Sequence, residues 1–270
     1  MRISARICGS LWKLFSVGPQ ARLEWDARAR FLKAVLQFFP KNRHQGIPTF
    51  YLRWQGLVLT SQKWVGGIDF RQLILKQKNK LSVLQRFNEA LADLVDLEAQ
   101  FPLWIHGDLS PVNLIIQDAG PAIWIDWETS LEACRYQQES RLFVKPSYLA
   151  PERANGMSAS KESDVFALGA ILYELLSGQP LFSDDEKGIA ESLCFSERNH
   201  KEALMIVPVK FRALLARALS PDPGQRPPSY LNFFQEFEGA FSQGQRLRAI
   251  QQDRSRAKKH LSTFGWSRDG

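Results

Sequence analysis

The amino-acid sequence predicts an α+β protein with two lobes, a small mixed lobe followed by a larger, mainly helical one. The chain has 270 residues, which suits one large domain or two small lobes. Residues 1–65 combine a helical pattern with an extended apolar stretch, whereas the second half contains a series of helical patterns. With 44% hydrophobic and 23% charged residues, the chain can bury a sizeable core, and the composition excludes disorder of the chain as a whole.

The small lobe, residues 1–65, is predicted to be rich in β-structure and to contain one helix. The helical pattern runs from Arg22 to Phe39, and turn residues follow from Pro40 to Gly46. An extended apolar stretch from Thr49 to Val65 ends the lobe. We assign residues 66–243 to the helical lobe and residues 244–270 to a basic tail.

The larger lobe is predicted to begin with a long helix and three short strands. Apolar residues recur at helical spacing from Ser82 to Gln100, with Ser82 as a candidate N-cap. The strands are Leu103–His106, Asn113–Gln117 and Ala122–Asp126, the last two joined by turn residues. Four further helices are predicted after a polar, turn-rich segment, at Ser163–Ser177, Asp185–Cys194, Val209–Leu219 and Ser229–Phe241.

The formal net charge of +7 is concentrated at the two ends of the chain. Residues 1–50 contain nine Lys and Arg against two acidic residues, and residues 241–270 contain seven against two, so the residues between them carry a net charge of −5. We therefore expect no specific nucleic-acid partner. The basic tail is expected to make at most a weak, peripheral contact with an acidic surface.

The cysteines and the hydropathy pattern predict a cytoplasmic protein. The three cysteines, Cys8, Cys134 and Cys194, are far apart and have no metal-ligand spacing, so we expect a reducing compartment. No apolar run reaches the roughly 18 residues of a transmembrane helix, and polar residues interrupt the first fifteen positions. The oligomeric state is left open.

The residues best suited to phosphoryl-transfer chemistry lie between Ile105 and Glu128. Asp108 and Asn113 fall on a predicted loop, and Asp126 falls at a predicted strand end. Phosphoryl transfer requires a protein to hold a metal-bound triphosphate, orient the acceptor hydroxyl and neutralise developing charge. Carboxylate and amide oxygens at these positions would supply the first two needs.

In these residues the sequence resembles the eukaryotic-type protein kinase superfamily, in the form found in bacterial serine/threonine kinases. The family's catalytic loop, H-R-D-L-x-x-x-N, is matched by His106, Asp108, Leu109 and Asn113. The resemblance implies that Asp108 orients the acceptor hydroxyl and that Asn113 and Asp126 bind the metal. It also implies a two-lobed kinase-like fold, ATP and Mg²⁺ as cofactors, and transfer to Ser or Thr of a protein substrate.

Three later segments extend the resemblance in the same order as in the family. They are Tyr148–Glu152 (Y-L-A-P-E), Ser163–Gly169 (S-D-V-F-A-L-G) and Asp222–Pro227 (D-P-G-Q-R-P). The resemblance implies an ion pair between Glu152 and Arg226, and a role for Asp164 in holding the catalytic-loop backbone. Antibiotic and choline phosphotransferases share the H-G-D and I-D-W-E segments but generally lack this series, which favours a protein substrate.

The sequence also departs from the family pattern, and two rival functions stay open. Gly107 replaces the loop arginine, which argues against control by activation-segment phosphorylation. Ser110 replaces the loop lysine, as in RIO, lipopolysaccharide and aminoglycoside kinases, and Glu128 replaces the D-F-G glycine. Lys145 is a candidate for the missing cation. The alternatives are a pseudokinase scaffold and a kinase of small molecules.

The small lobe lacks the family's glycine-rich loop, because no G-x-G-x-x-G occurs before residue 60. The candidate for the phosphate-binding lysine is Lys13, which leaves space for one strand before it. We expect its partner to be Glu24 or else Asp26, with Glu24 preferred, although Arg28 lies nearer the usual offset. A solvated lysine without a partner is the alternative.

The end of the small lobe resembles the strand and hinge that contact the adenine base in the family. The segment is Leu57–Gln62, followed by Trp64-Val65-Gly66-Gly67. The resemblance implies that backbone groups of Ser61, Gln62 and Lys63 meet the nucleotide base.

Overall fold

The small lobe is a four-stranded antiparallel sheet. The computed structural model of the chain describes residues 2–7, 10–16, 48–54, 57–76, 79–118, 120–127, 131–132 and 145–242. The strands are β1 (Arg2–Ile7), β2 (Ser10–Ser16), β3 (Pro48–Trp54) and β4 (Leu57–Lys63), in the order β1-β2-β4-β3. The predicted extended stretch is thus two strands, and one strand precedes β2, which carries Lys13. The predicted helix Arg22–Phe39 and the basic tail lie outside the described residues.

The chain leaves the small sheet through an extended segment and enters the helical lobe. It forms β5 (Ile68–Asp69), α1 (Phe70–Lys76) and α2 (Lys80–Gln100). Helix α1 was not predicted, because seven residues are too few to show a clear helical period. Helix α2 begins before the predicted cap, and its N-cap is Asn79, whose side chain accepts a hydrogen bond from the backbone N–H of Leu81.

Short strands after α2 form the base of the candidate site. They are β6 (Trp104–Ile105), β7 (Leu114–Ile116), β8 (Ala122–Trp124) and β9 (Leu131–Glu132). Strands β7 and β8 form an antiparallel hairpin with Leu114 opposite Trp124, and β5 pairs with the other edge of β7. Strand β6 pairs with β9. All three predicted strands are present and slightly shorter than predicted.

The rest of the chain is helical. The helices are α3 (Pro151–Ala154), α4 (Lys161–Ser177), α5 (Glu186–Leu193), α6 (Glu197–Ile206), α7 (Val209–Ala218) and α8 (residues 230–242). The four predicted helices correspond to α4, α5, α7 and α8. Helix α6 was missed because its first half is polar and largely exposed, with His200 as its one buried residue.

Helix α4 forms the centre of the hydrophobic core. Every residue from Ser163 to Leu176 is buried, as expected for a helix surrounded by other elements. A capping box between Ser160 and Ser163 starts the helix, and Gly178, with φ of 85°, ends it in the left-handed conformation. Among the described residues, no helix is both long and apolar enough to cross a membrane.

Candidate active site

The loop between β6 and β7, residues 106–113, is hydrogen-bonded to Asp164, a buried residue of α4. The Asp164 carboxylate accepts hydrogen bonds from the backbone N–H groups of His106 and Gly107, at 2.6 Å and 3.0 Å. The hydroxyl of Tyr230 in α8 donates a third, at 2.5 Å. The predicted role of Asp164 in holding this loop is therefore confirmed.

Within the loop, Asp108 and Asn113 are tied to each other. The side-chain amide of Asn113 donates to the backbone oxygen and to the Oδ2 of Asp108, both at 2.9 Å. Both residues are buried. Because its nitrogen is used twice on Asp108, the amide of Asn113 directs its oxygen away from that residue. The carboxylate of Asp108 is thus fixed in orientation.

Asp126 follows β8 at the end of the hairpin where β7 begins. The backbone N–H of Ile125 donates to the carbonyl oxygen of Asn113 at 2.8 Å, which extends the hairpin ladder by one bond. Asp126 has φ of 66°, in the left-handed region that non-glycine residues rarely adopt. Next to it, Trp127 stacks on Trp104 at 5.4 Å between ring centroids. The hairpin register therefore brings Asn113 and Asp126 to the same end of the sheet.

Lys13 reaches this end of the hairpin from the small sheet. Its side chain is buried, and its Nζ forms an ion pair with Asp126 and lies 3.5 Å from Oε1 of Gln62. The alternative of a solvated lysine is therefore wrong. Glu24, the preferred partner, lies outside the described residues, as does Asp26. The partner that sequence reasoning missed is Asp126, which no local pattern could indicate because it lies in the other lobe.

The three residues expected near the base lie at the end of β4. Ser61 and Gln62 are buried within the sheet, where β4 pairs with β2 on one side and β3 on the other. Lys63 is exposed at the last position of the strand. Backbone contacts to a base at Ser61, Gln62 and Lys63 stay a prediction.

His106 is buried among aromatic side chains close to Asp108. Its ring centroid is 5.5 Å to 6.2 Å from those of Trp104, Trp124 and Trp127. Complete burial lowers the pKa of His106 below its ordinary value of 6.5, although Asp164 and Asp126 act in the opposite direction. The neutral ring lets Nδ1 accept a hydrogen bond from the backbone N–H of Asp108, at 3.3 Å.

The predicted ion pair between Glu152 and Arg226 is present and bidentate. The two guanidinium nitrogens donate to the two carboxylate oxygens at 2.6 Å and 2.9 Å. The guanidinium also lies over the ring of Phe166, at 4.9 Å from its centroid. The pair joins the start of α3 to the segment before α8.

Sequence reasoning missed a second polar network, which joins α1, α4 and the segment before α3. The Tyr148 hydroxyl donates to Glu174 at 2.5 Å, and Arg71 contacts both Glu174 and Asp184. Burial raises the pKa values of Tyr148 and Glu174. Arg71 carried no signal in the sequence, because it lies on the short helix that periodicity did not reveal.

The cations that the family places in the catalytic loop have no replacement within the loop. Gly107 has φ of 81° and no side chain, and Ser110 is completely buried. Lys145, the candidate replacement, is exposed and interacts electrostatically with Asp184. Glu128 lies outside the described residues.

Asn113 and Asp126 fit the requirements of a magnesium ion. Mg²⁺ in phosphoryl-transfer sites is held by one or two protein oxygens, with substrate phosphates and waters as the other ligands. The Asp126 carboxylate and the Asn113 amide oxygen are hard donors of this kind. The described residues contain no group of three His, Cys, Asp or Glu side chains arranged for a metal.

Taken together, these features define a two-lobed kinase fold. Residues 77–236 match the model of the protein kinase domain, which covers more than half of the chain. The chain therefore belongs to the protein kinase family.

Curated relatives show the same similarity. The chain is 27% identical over 174 residues to the serine/threonine-protein kinase PrkC of Bacillus subtilis, which covers 61% of this chain and 26% of PrkC. It is 27% identical over 212 residues to the serine/threonine-protein kinase pkn3 of Myxococcus xanthus, covering 71% of this chain and 38% of that protein. A probable serine/threonine-protein kinase PknB of Lactococcus lactis is 37% identical over 83 residues, 30% of this chain and 13% of that protein. The matches thus span well under half of the length of these relatives.

Proposed function

We propose that this chain is an ATP- and Mg²⁺-dependent protein kinase that phosphorylates serine or threonine. The proposal rests on two contacts at the candidate site. Lys13 forms an ion pair with Asp126, and the side chain of Asn113 is hydrogen-bonded to that of Asp108. A cation, a metal-binding carboxylate and an oriented acceptor base are the parts that phosphoryl transfer requires of a protein.

Each of the four side chains has a distinct role in the proposed reaction. Asp108 accepts the hydrogen bond of the substrate hydroxyl, orients its oxygen towards the γ-phosphorus and receives its proton. Asn113 and Asp126 would hold Mg²⁺, which neutralises phosphate charge when it is bound. Lys13 binds the phosphates, and its burial strengthens this electrostatic interaction.

The segment before α3 supports a polypeptide substrate. Lys145, Tyr148 and Ala150 line a cavity of about 20 Å³ together with Asp108, so this segment lies directly against the proposed base. An acceptor chain bound along the segment would bring its hydroxyl to Asp108. The names of the relatives PrkC and pkn3 support serine and threonine as acceptors, whereas MasK of Myxococcus xanthus, 28% identical over 143 residues, is named a tyrosine-protein kinase.

Phosphate transfer to a generic basic protein tests the proposal. We expect purified chain with Mg-ATP to label the protein on Ser or Thr, as read by phosphoamino-acid analysis. Asp108→Asn should abolish labelling, whereas Asp118→Asn, which changes an exposed carboxylate, should leave it unchanged. Labelling of a sugar or aminoglycoside alone would identify a small-molecule kinase, and nucleotide binding without transfer would identify a pseudokinase scaffold.

A further inference from the structure

Two buried carboxylates of the candidate site lie at a catalytic loop that carries no cation of its own. Asp108 is 7% exposed and Asp164 is 3% exposed. The loop sequence from His106 to Asn113 contains no Lys or Arg. Buried carboxylates are costly unless they are paired with a cation or fully hydrogen-bonded. Asp164 is stabilised by hydrogen bonds from His106, Gly107 and Tyr230. A positive charge from elsewhere in the fold would further offset the cost of two negative charges buried at this loop.

Arg153 in α3 occupies the right place. The residue is 7% exposed, and its Nη1 donates to the carbonyl oxygen of Met157 at 3.1 Å, which holds one side of the guanidinium. It lines the cavity of about 20 Å³ together with Gly107, Asp108 and Asp164. A cavity of this size holds about one water molecule. Arg153 and the catalytic loop are therefore near neighbours.

The electrostatic environment of Arg153 agrees with this placement. Burial lowers the pKa of Arg153, and Asp164, Glu152 and Asp108 each act to raise it. An arginine stays protonated even when it is buried. Its positive charge therefore acts on both carboxylates that lie at the loop.

Among the residues that the structure describes, the other cations near the site are engaged with different carboxylates. Lys13 pairs with Asp126, and Arg226 pairs with Glu152. Lys145 lines the same cavity, but it is exposed and acts on Asp184. An exposed lysine is screened by water and gives a weaker, less fixed charge than a buried guanidinium.

We propose that Arg153 is a positioning residue for phosphoryl transfer, whose guanidinium supplies the fixed cation that the catalytic loop lacks. It holds Asp108 and the Asp164 support in one arrangement across the small cavity that the three residues line together. The expected effect on kcat rests on the proposed kinase function. The expected effect on the structure of the loop does not depend on turnover.

The kinetic test compares Arg153→Met, which removes the charge, with Arg153→Lys, which keeps it. We expect Arg153→Met to lower kcat by about 10- to 100-fold, as for misplacement of a catalytic group, while the KM for ATP changes by less than about twofold. Arg153→Lys should recover most of kcat. The control is Arg86→Met. Arg86 lies in α2, and its guanidinium donates to the carbonyl oxygens of Gln117 and Gly120. The kcat of this variant should stay unchanged.

A second readout does not require activity. Amide hydrogen exchange of residues 106–108 should become faster in Arg153→Met and stay slow in Arg153→Lys and Arg86→Met. If Arg153→Met fails to fold, Arg153→Gln replaces it, since it also removes the charge and keeps a hydrogen-bond donor. Unchanged exchange and kcat in the neutral variant would overturn the inference, as would equal losses in the neutral variant and Arg153→Lys. If exchange is faster in Arg153→Met but the wild type shows no transfer activity, the inference stands and the kinase function is refuted instead.

Discussion

At the scale of single residues, the neutral form of His106 is part of the candidate site. Its Nδ1 accepts the backbone N–H of Asp108, and its ring lies among three tryptophans. Protonation of Nδ1 would remove the acceptor and place a charge in an apolar environment. In the sequence His106 is only the first residue of the catalytic-loop motif. In the structure its ring accepts the hydrogen bond from the backbone of Asp108.

The lowered pKa of His106 predicts a pH dependence of stability. In the unfolded chain the histidine titrates near 6.5. Below that pH the imidazole is therefore protonated more readily in the unfolded state than in the folded state, where its pKa is lowered. The free energy of unfolding should therefore fall as the pH drops from 6.5 towards 5, by at most about 1.4 kcal/mol per pH unit from this residue. Urea unfolding of wild type and His106→Gln from pH 5 to 8 measures the difference.

Glutamine keeps a hydrogen-bond acceptor at position 106 but does not titrate. The free energies of unfolding of the two proteins, plotted against pH, should therefore diverge only at acidic pH. His200, whose pKa is also lowered by burial, is present in both proteins and cancels in the comparison. Curves that stay parallel down to pH 5 would contradict the assignment of a neutral, buried His106.

At the scale of secondary-structure elements, α4 organises the helical lobe through its polar residues as much as through its apolar ones. Asp164 near its start binds the catalytic loop and α8, and Glu174 near its end binds Tyr148 and Arg71. Because both carboxylates are buried, each needs partners that other elements supply. The helix therefore fixes the loop and the segment before α3 relative to each other.

The pair of Glu152 and Arg226 connects two further elements, and its removal should be costly. Arg226→Met would leave the largely buried Glu152 carboxylate without its guanidinium, so we expect a loss of about 3–5 kcal/mol in the free energy of unfolding. Arg198→Met, which breaks an exposed pair with Glu202, should cost less than about 0.5 kcal/mol. Urea denaturation measures both. Similar losses in the two variants would refute a special role for the buried pair.

The sequence predicted these elements unevenly, for physical reasons. Apolar residues at helical spacing made α2 predictable, and the turn residues between two apolar stretches made the β7–β8 hairpin predictable. The short helix α1 and the polar helix α6 were missed because length and hydrophobic contrast are what a periodic pattern needs. Motif spacing placed Asp108, Asn113 and Asp126, but long-range partners such as Arg153 carried no local signal.

At the scale of the whole molecule, the two lobes meet where a nucleotide is proposed to bind. Lys13 belongs to the small sheet and Asp126 to the hairpin of the helical lobe, and their ion pair crosses between the lobes. A ligand whose phosphates contact Lys13 and whose metal contacts Asp126 would bind both lobes at once. Ligand binding to the folded state alone must then raise the stability of the whole chain.

Titration with Mg-ATP tests this coupling by thermal unfolding. At 100 times the dissociation constant the ligand contributes about 2.7 kcal/mol, which for a chain of this size raises the melting temperature by about 5–10 °C. Lys13→Met and Asp126→Asn should each reduce the shift strongly, because each removes the attachment of the ligand to one lobe. EDTA should reduce it in wild type by withdrawing the metal. Lys187→Met, which changes an exposed lysine of α5 far from the predicted base contacts in the sequence, should keep the full shift. If Mg-ATP does not raise the melting temperature, or if it raises that of Lys13→Met as much as that of the wild type, the lobes do not bind a nucleotide between Lys13 and Asp126.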